Sequence, residues 1–136
     1  MSTPPTSAPS PMAAGAHGLL AFGLPVSGEA ELSHPKPERL IAGKPLRETW
    51  NALDAPLAGA QNLSTGVWRC EPGHWRIAFG PTEREVFTVV QGRCRVHSAA
   101  GGCQEAGPGQ AIHIPPGFAG SFEVLEAVTK VYVIVE

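Results

Sequence analysis

The sequence is short of cysteine, of clustered charge and of long apolar runs, and each shortage removes a class of explanation. Its three cysteines, Cys70, Cys94 and Cys103, make an odd set without Cys-x2-Cys spacing. Neither a complete disulfide framework nor a zinc knuckle is indicated, and free thiols in a reducing compartment are expected. Ten Lys and Arg against twelve Asp and Glu leave a net charge of -2, with the cations scattered along the chain. That pattern offers no footprint for nucleic acid or for an anionic membrane, so neither is expected as a partner. No apolar run approaches the roughly 20 residues that span a bilayer. The mildly apolar stretch from Met12 to Ala30 has no Lys or Arg ahead of it, unlike a secretory leader, and a cytoplasmic location is expected. Helical periodicity sustained over three turns is also missing from Glu38 onward.

What is present is a chain that can bury a core but must turn often: 43% of its 136 residues are hydrophobic, and it carries 16 Gly and 14 Pro. One all-β domain is predicted. Residues 1–18 are rich in Pro, Ser and Ala and hold almost no large side chain to offset the entropy of ordering, so they read as a disordered tail. Residues 19–37 read as an arm and linker. Within them Leu19-Leu-Ala-Phe-Gly-Leu24 is apolar enough to pack on the domain or on a partner subunit, and His34-Pro-Lys-Pro37 is extended. From residue 38 to 136 short strands alternate with Gly and Pro. They are placed near 38–42, 47–50, 66–70, 74–79, 84–90, 93–98, 103–105, 110–114, 120–126 and 128–135. The last of these is rich in β-branched residues and is expected to be central in its sheet.

Two segments are specific enough to suggest a family. Glu85 and Gly92 are spaced as Glu-x6-Gly, and Gly109, Pro115 and Gly117 as Gly-x5-Pro-x-Gly, with sixteen residues between Gly92 and Gly109. The chain resembles the cupins, whose two motifs end and begin in this way. Its flanks, Thr65-Gly-Val-Trp-Arg-Cys-Glu-Pro-Gly-His-Trp75, Gly117-Phe-Ala-Gly-Ser-Phe-Glu123 and Lys130-Val-Tyr-Val-Ile134, are similar to a subfamily of small bacterial cupins. That subfamily, largely of unknown function, is related to the cupin domains of ureidoglycine aminohydrolase and ethanolamine-utilisation protein Q. The resemblance implies a double-stranded β-helix, or jelly-roll, barrel of the RmlC-like kind. It also implies a homodimer, with the segment from Glu38 to Asn51 suited to crossing onto a partner.

The ligand set that the resemblance implies is largely missing. The first-motif histidines would fall among Ala78, Phe79, Gly80 and Pro81, and the second-motif histidine on Gly120, leaving Glu85 alone. Alternation along Glu85-Val-Phe-Thr-Val89 carries Glu85 into the interior with Phe87 and Val89. Glu85 is therefore either a buried carboxylate paired with Lys130 or Tyr132, or a ligand of a non-standard divalent metal site in which His113 takes part. Glu83, two positions back, shares the face of Glu85 if the strand extends that far. Outside that alternative His113, on the opposite strand face from Ile112 and Ile114, reads as an ordinary partly exposed histidine, His74 and His97 as surface residues at strand ends, and Cys94 as a small core hydrophobe.

Trp75, Phe87, Phe122 and Tyr132 either fill the barrel or wall a pocket in which glycine at 120 has opened room. A pocket of Trp75, Glu83, Glu85, Phe87, Phe122, Lys130 and Tyr132 would orient a small organic ligand without a standard cupin metal. The other reading is a hydrolase or isomerase with Glu85 as general base or ligand. No cofactor is required by the first reading.

Overall fold

The computed structural model describes residues 17–136. The predicted disordered tail lies outside the described residues except for its last two positions, His17 and Gly18. Nine strands follow: β1 (Glu31–Ser33), β2 (Leu40–Ala42), β3 (Arg47–Pro56), β4 (Asn62–Cys70), β5 (Gly73–Ala78), β6 (Arg84–Ser98), β7 (Cys103–Ala106), β8 (Ala111–Ile114) and β9 (Ala119–Val135). Two 3-10 turns, Pro37–Arg39 and Ala58–Ala60, are the only helical pieces among the described residues. The architecture is the all-β jelly roll expected from the motifs.

β6 and β9 organise it. Every pairing is antiparallel. The first half of β6 pairs with β8 and with the second half of β9, and its second half pairs with β7 and the first half of β9. On its other edge β9 takes β5 along residues 119–124 and β4 along residues 128–135. β9 is thus interior along most of its length, as its Val-rich composition requires. The sequence suggested a break in each of these strands, at 91–92 and at 127. Gly92 instead lets β6 bend without ending. Its φ is +81°, a Cβ there would fall 2.1 Å from the Ala127 carbonyl oxygen, and the β6–β9 register shifts around it. A glycine that looks like punctuation is the point where a bulged ladder changes direction.

β3 is also longer than expected, running to Pro56 across a register shift between Asn51 and Leu53. β2 and β3 pair with β5 and β4 of their own chain. The core is built from inward positions at the period of two, including Phe87, Val89, Cys94, Ile114, Phe122, Val124 and Val128.

Cys70 and Cys94 are fully buried and free, and burial pushes their thiols up to about 12 and about 11; Cys103 is exposed and free. A thiol-specific reagent should therefore label one cysteine rapidly in the native protein and all three after denaturation. Loss of the single rapid label in Cys103→Ser would identify it, whereas rapid native labelling of two or three sites would contradict this packing.

Candidate functional site

Glu85 lies on β6 opposite Ile134 of β9 and Ile114 of β8, and its side chain enters the barrel. Lys130 on β9 lies opposite Val89 and points the same way. Lys130 Nζ donates to Glu85 Oε2 at 2.7 Å, with both side chains at least nine-tenths buried. The ammonium also sits 4.4 Å from the Trp68 ring centre, 4.2 Å from that of Phe87 and 4.9 Å from that of Phe122. Three ring faces and one carboxylate thus replace the water that a lysine ammonium would otherwise keep.

This pair forms the floor of a cavity of about 840 Å³. Trp68, Trp75 and Phe122 wall it as an aromatic cluster, with Phe122 edge-to-face with Trp68 at 5.6 Å and tilted against Trp75 at 5.3 Å between ring centres. Tyr132, the other partner considered for Glu85, donates its hydroxyl instead to Asn51 Oδ1 at 2.7 Å. Burial, reinforced by Asp54, Glu85 and Glu31, pushes the Tyr132 phenol up to about 12, so it remains a donor at any ordinary pH. Arg47 lies 5.6 Å from the Trp75 ring centre, and its guanidinium donates to Ser33 Oγ and to the His34 carbonyl. Burial lowers its pKa from the ordinary arginine value.

The far wall comes from the arm. Phe22, Gly23, Pro25, Val26, Ser27 and Glu29 line the cavity, and Trp50 Nε1 donates to the Gly28 carbonyl at 3.1 Å. The arm is a strap laid across the barrel mouth. Of the apolar run 19–24, Phe22 and Gly23 line the cavity, while Leu19 and Leu24 stay exposed.

Five of the seven predicted pocket residues, Trp75, Glu85, Phe122, Lys130 and Tyr132, meet around this space. Glu83 does not. β6 begins at Arg84, and Glu83 Oε1 accepts from the Gly80 amide at 3.0 Å, which spends the carboxylate on the turn before the strand. Phe87 is wholly buried beneath the Lys130 ammonium and supports the floor from below. His113 is opposite Val86 and exposed, on the outer face, so it cannot join Glu85. Gly120 opens no room: a Cβ there would fall 1.9 Å from the His97 carbonyl oxygen and 2.9 Å from the Phe118 ring. His74 and His97 are half-buried and hydrogen-bonded rather than free at the surface.

The barrel metal implied by the motifs does not fit these residues. Positions 78–81 offer no ligand, Gly120 has no space for a side chain, and Glu85 is already neutralised by an ammonium 2.7 Å away. What remains chemically is an aromatic pocket with one buried ion pair, the Tyr132 phenol, the Arg47 guanidinium and three further carboxylates, Glu29, Glu31 and Asp54, on its lining.

Residues 57–132 match a protein family described as the EutQ-like cupin domain. Among solved structures the fold is similar to a protein of unknown function from Pseudomonas syringae pv. tomato, with 21% identity and a TM-score of 0.66 over 77% of this chain and 43% of that one. It is similar also to the Clostridium difficile EutQ protein, with 20% identity and a TM-score of 0.55 over 66% of this chain and 62% of that one. A third likeness is to a putative ethanolamine utilization protein Q from Salmonella typhimurium, with 14% identity and a TM-score of 0.55 over 79% of this chain and 97% of that one. The chain thus spans less than two thirds of the length of the first two. No curated protein matches the sequence.

Proposed function

This chain belongs to the EutQ-like cupin family, and from that premise we propose that it binds a small organic metabolite in the barrel cavity without a metal there. The observation that carries the reading is the Glu85–Lys130 pair, buried at the floor of a cavity of about 840 Å³ whose walls are aromatic. A space of that size, mostly apolar with a few fixed polar groups, is the usual form of a small-molecule site. Aromatic faces would take a flat or apolar body. Arg47, whose guanidinium has N–H groups beyond those bonded to Ser33 and His34, would donate to carbonyl or carboxylate oxygens, and the Tyr132 oxygen, whose proton goes to Asn51, would accept from an amide or amine.

All three tryptophans of the chain, Trp50, Trp68 and Trp75, line this cavity. Their fluorescence therefore reports on it and on little else. Screening small carboxylates, amides and amines should yield compounds that change the emission saturably, and Trp68→Phe with Tyr132→Phe should weaken them about tenfold or more. Hits that bind the double variant as tightly as the natural chain, or a broad screen without any saturable change, would count against the pocket.

A second reading rests on the acid and amine lying together in that cavity: an enzyme with Glu85 as general base. It requires turnover of a bound compound, which the binding reading does not. No helix among the described residues is long and apolar enough to cross a membrane, and the proposed setting is the cytoplasm. A homodimer is proposed as the working state, and a gel-filtration mass near 14.2 kDa would exclude it.

A further inference from the structure

On the outer face of the barrel, away from the cavity, three ligand-type side chains converge from three adjacent strands. His74 of β5 stands directly opposite Glu123 of β9, and His97 of β6 stands opposite Ser121 of the same strand. His97 Nε2 and Glu123 Oε1 are 2.8 Å apart, His74 Nε2 shares a hydrogen bond of 2.7 Å with Ser121 Oγ, and the two imidazole centres are 5.2 Å apart. One ligand atom from each of His74, His97 and Glu123 lies within 4.8 Å of the other two. Ligand atoms around a tetrahedral zinc stand about 3.3 Å apart, given bonds of about 2.0–2.1 Å to nitrogen and oxygen. The observed separations, from 2.8 Å to no more than 4.8 Å, bracket that spacing.

We propose that His74, His97 and Glu123 form a divalent-metal site on the outer face of the barrel, with zinc the ion best suited to two imidazoles and one carboxylate. Three further features favour it. The ligands sit on paired strands in the middle of a sheet, so the backbone needs no reorganisation. Arg95, opposite Glu123 in register, is held by Glu105 at 2.7 Å, which leaves the Glu123 carboxylate to the imidazoles. The ligand groups are half-buried rather than sealed, with His97 and Glu123 side chains 33% and 28% exposed, so an ion can enter. Three protein ligands leave a fourth position for water or for Ser121 Oγ. The site is independent of the cavity reading, since none of the three residues lines that cavity.

The test uses the full chain purified without a His-tag and stripped with chelator. Calorimetric titration with zinc chloride should give one site per chain. His74→Gln and His97→Gln should each weaken it about 100-fold or more, while His113→Gln and Cys103→Ser leave it unchanged. Cys103 lies opposite His97, so that last control matters. Cobalt(II) added to the unaltered chain should show intense tetrahedral d–d absorption without a thiolate charge-transfer band. The proposal is overturned by no saturable zinc binding up to about 1 mM, by equal affinity in both histidine variants, or by a thiolate band.

Discussion

Glu85→Gln should lower the melting temperature by roughly 10–15 °C. The substitution keeps the shape of the side chain but leaves the Lys130 ammonium, 7% exposed, without a counter-charge. Breaking one partner of a buried pair costs about 3–5 kcal/mol. The lower end applies, because the rings of Trp68, Phe87 and Phe122 still face the cation and recover part of the loss. For a domain of this size about 3 kcal/mol corresponds to a shift of that order. Removing both charges tests the cause. Glu85→Leu combined with Lys130→Met should melt within a few degrees of the natural chain, because an apolar pair of similar volume avoids the desolvation cost of both ions. A single variant that melts like the natural chain would mean that Lys130 escapes to water. A double variant as unstable as the single one would mean that the damage is steric rather than electrostatic.

Gly120→His should destabilise the fold by about 3 kcal/mol or more and should restore no metal to the barrel. The motif places a histidine here, yet even the first atom of any side chain meets the His97 carbonyl and the Phe118 ring. Backbone cannot yield as a flexible side chain does, and such overpacking costs about 1–3 kcal/mol before the imidazole itself is housed. Gly120→Ala separates the two effects: it should already show most of the loss in thermal unfolding. A stable Gly120→His protein that binds zinc or manganese inside the barrel would instead show that the His97 carbonyl and the Phe118 ring can move aside for an imidazole.

The sequence was legible where local rules decide. Alternation alone carried Glu85, Phe87 and Val89 inward, and the same alternation put His113, between Ile112 and Ile114, on the other face. Gly109, Pro115 and Gly117 marked the turns of the barrel. It was not legible where the outcome depended on where a strand starts or on what crosses it. Glu83 would have shared the cavity had β6 begun one residue earlier, but Arg84 opens the strand and Glu83 caps the turn. Asn51 and Tyr132 meet across the β3–β4–β9 ladder, and neither residue carries a local signal of the other. The strap from Phe22 to Glu29 has no period at all, since it is held by tertiary contacts such as Trp50 with Gly28. His74, His97 and Glu123 come from three strands, and only the register shows that they are neighbours.

β9 receives partners from β4, β5 and β6, and it is the last of the nine strands in sequence order. While the chain emerges during synthesis, those three strands must wait with open edges until residues 119–135 are available. Pairing so dependent on distant segments closes slowly, on the order of milliseconds to seconds. Until then the strands' unpaired edges are exposed to other nascent chains. Yield in a cell should therefore depend on how fast β9 is delivered and on chaperone capacity, more than on the stability of the finished barrel.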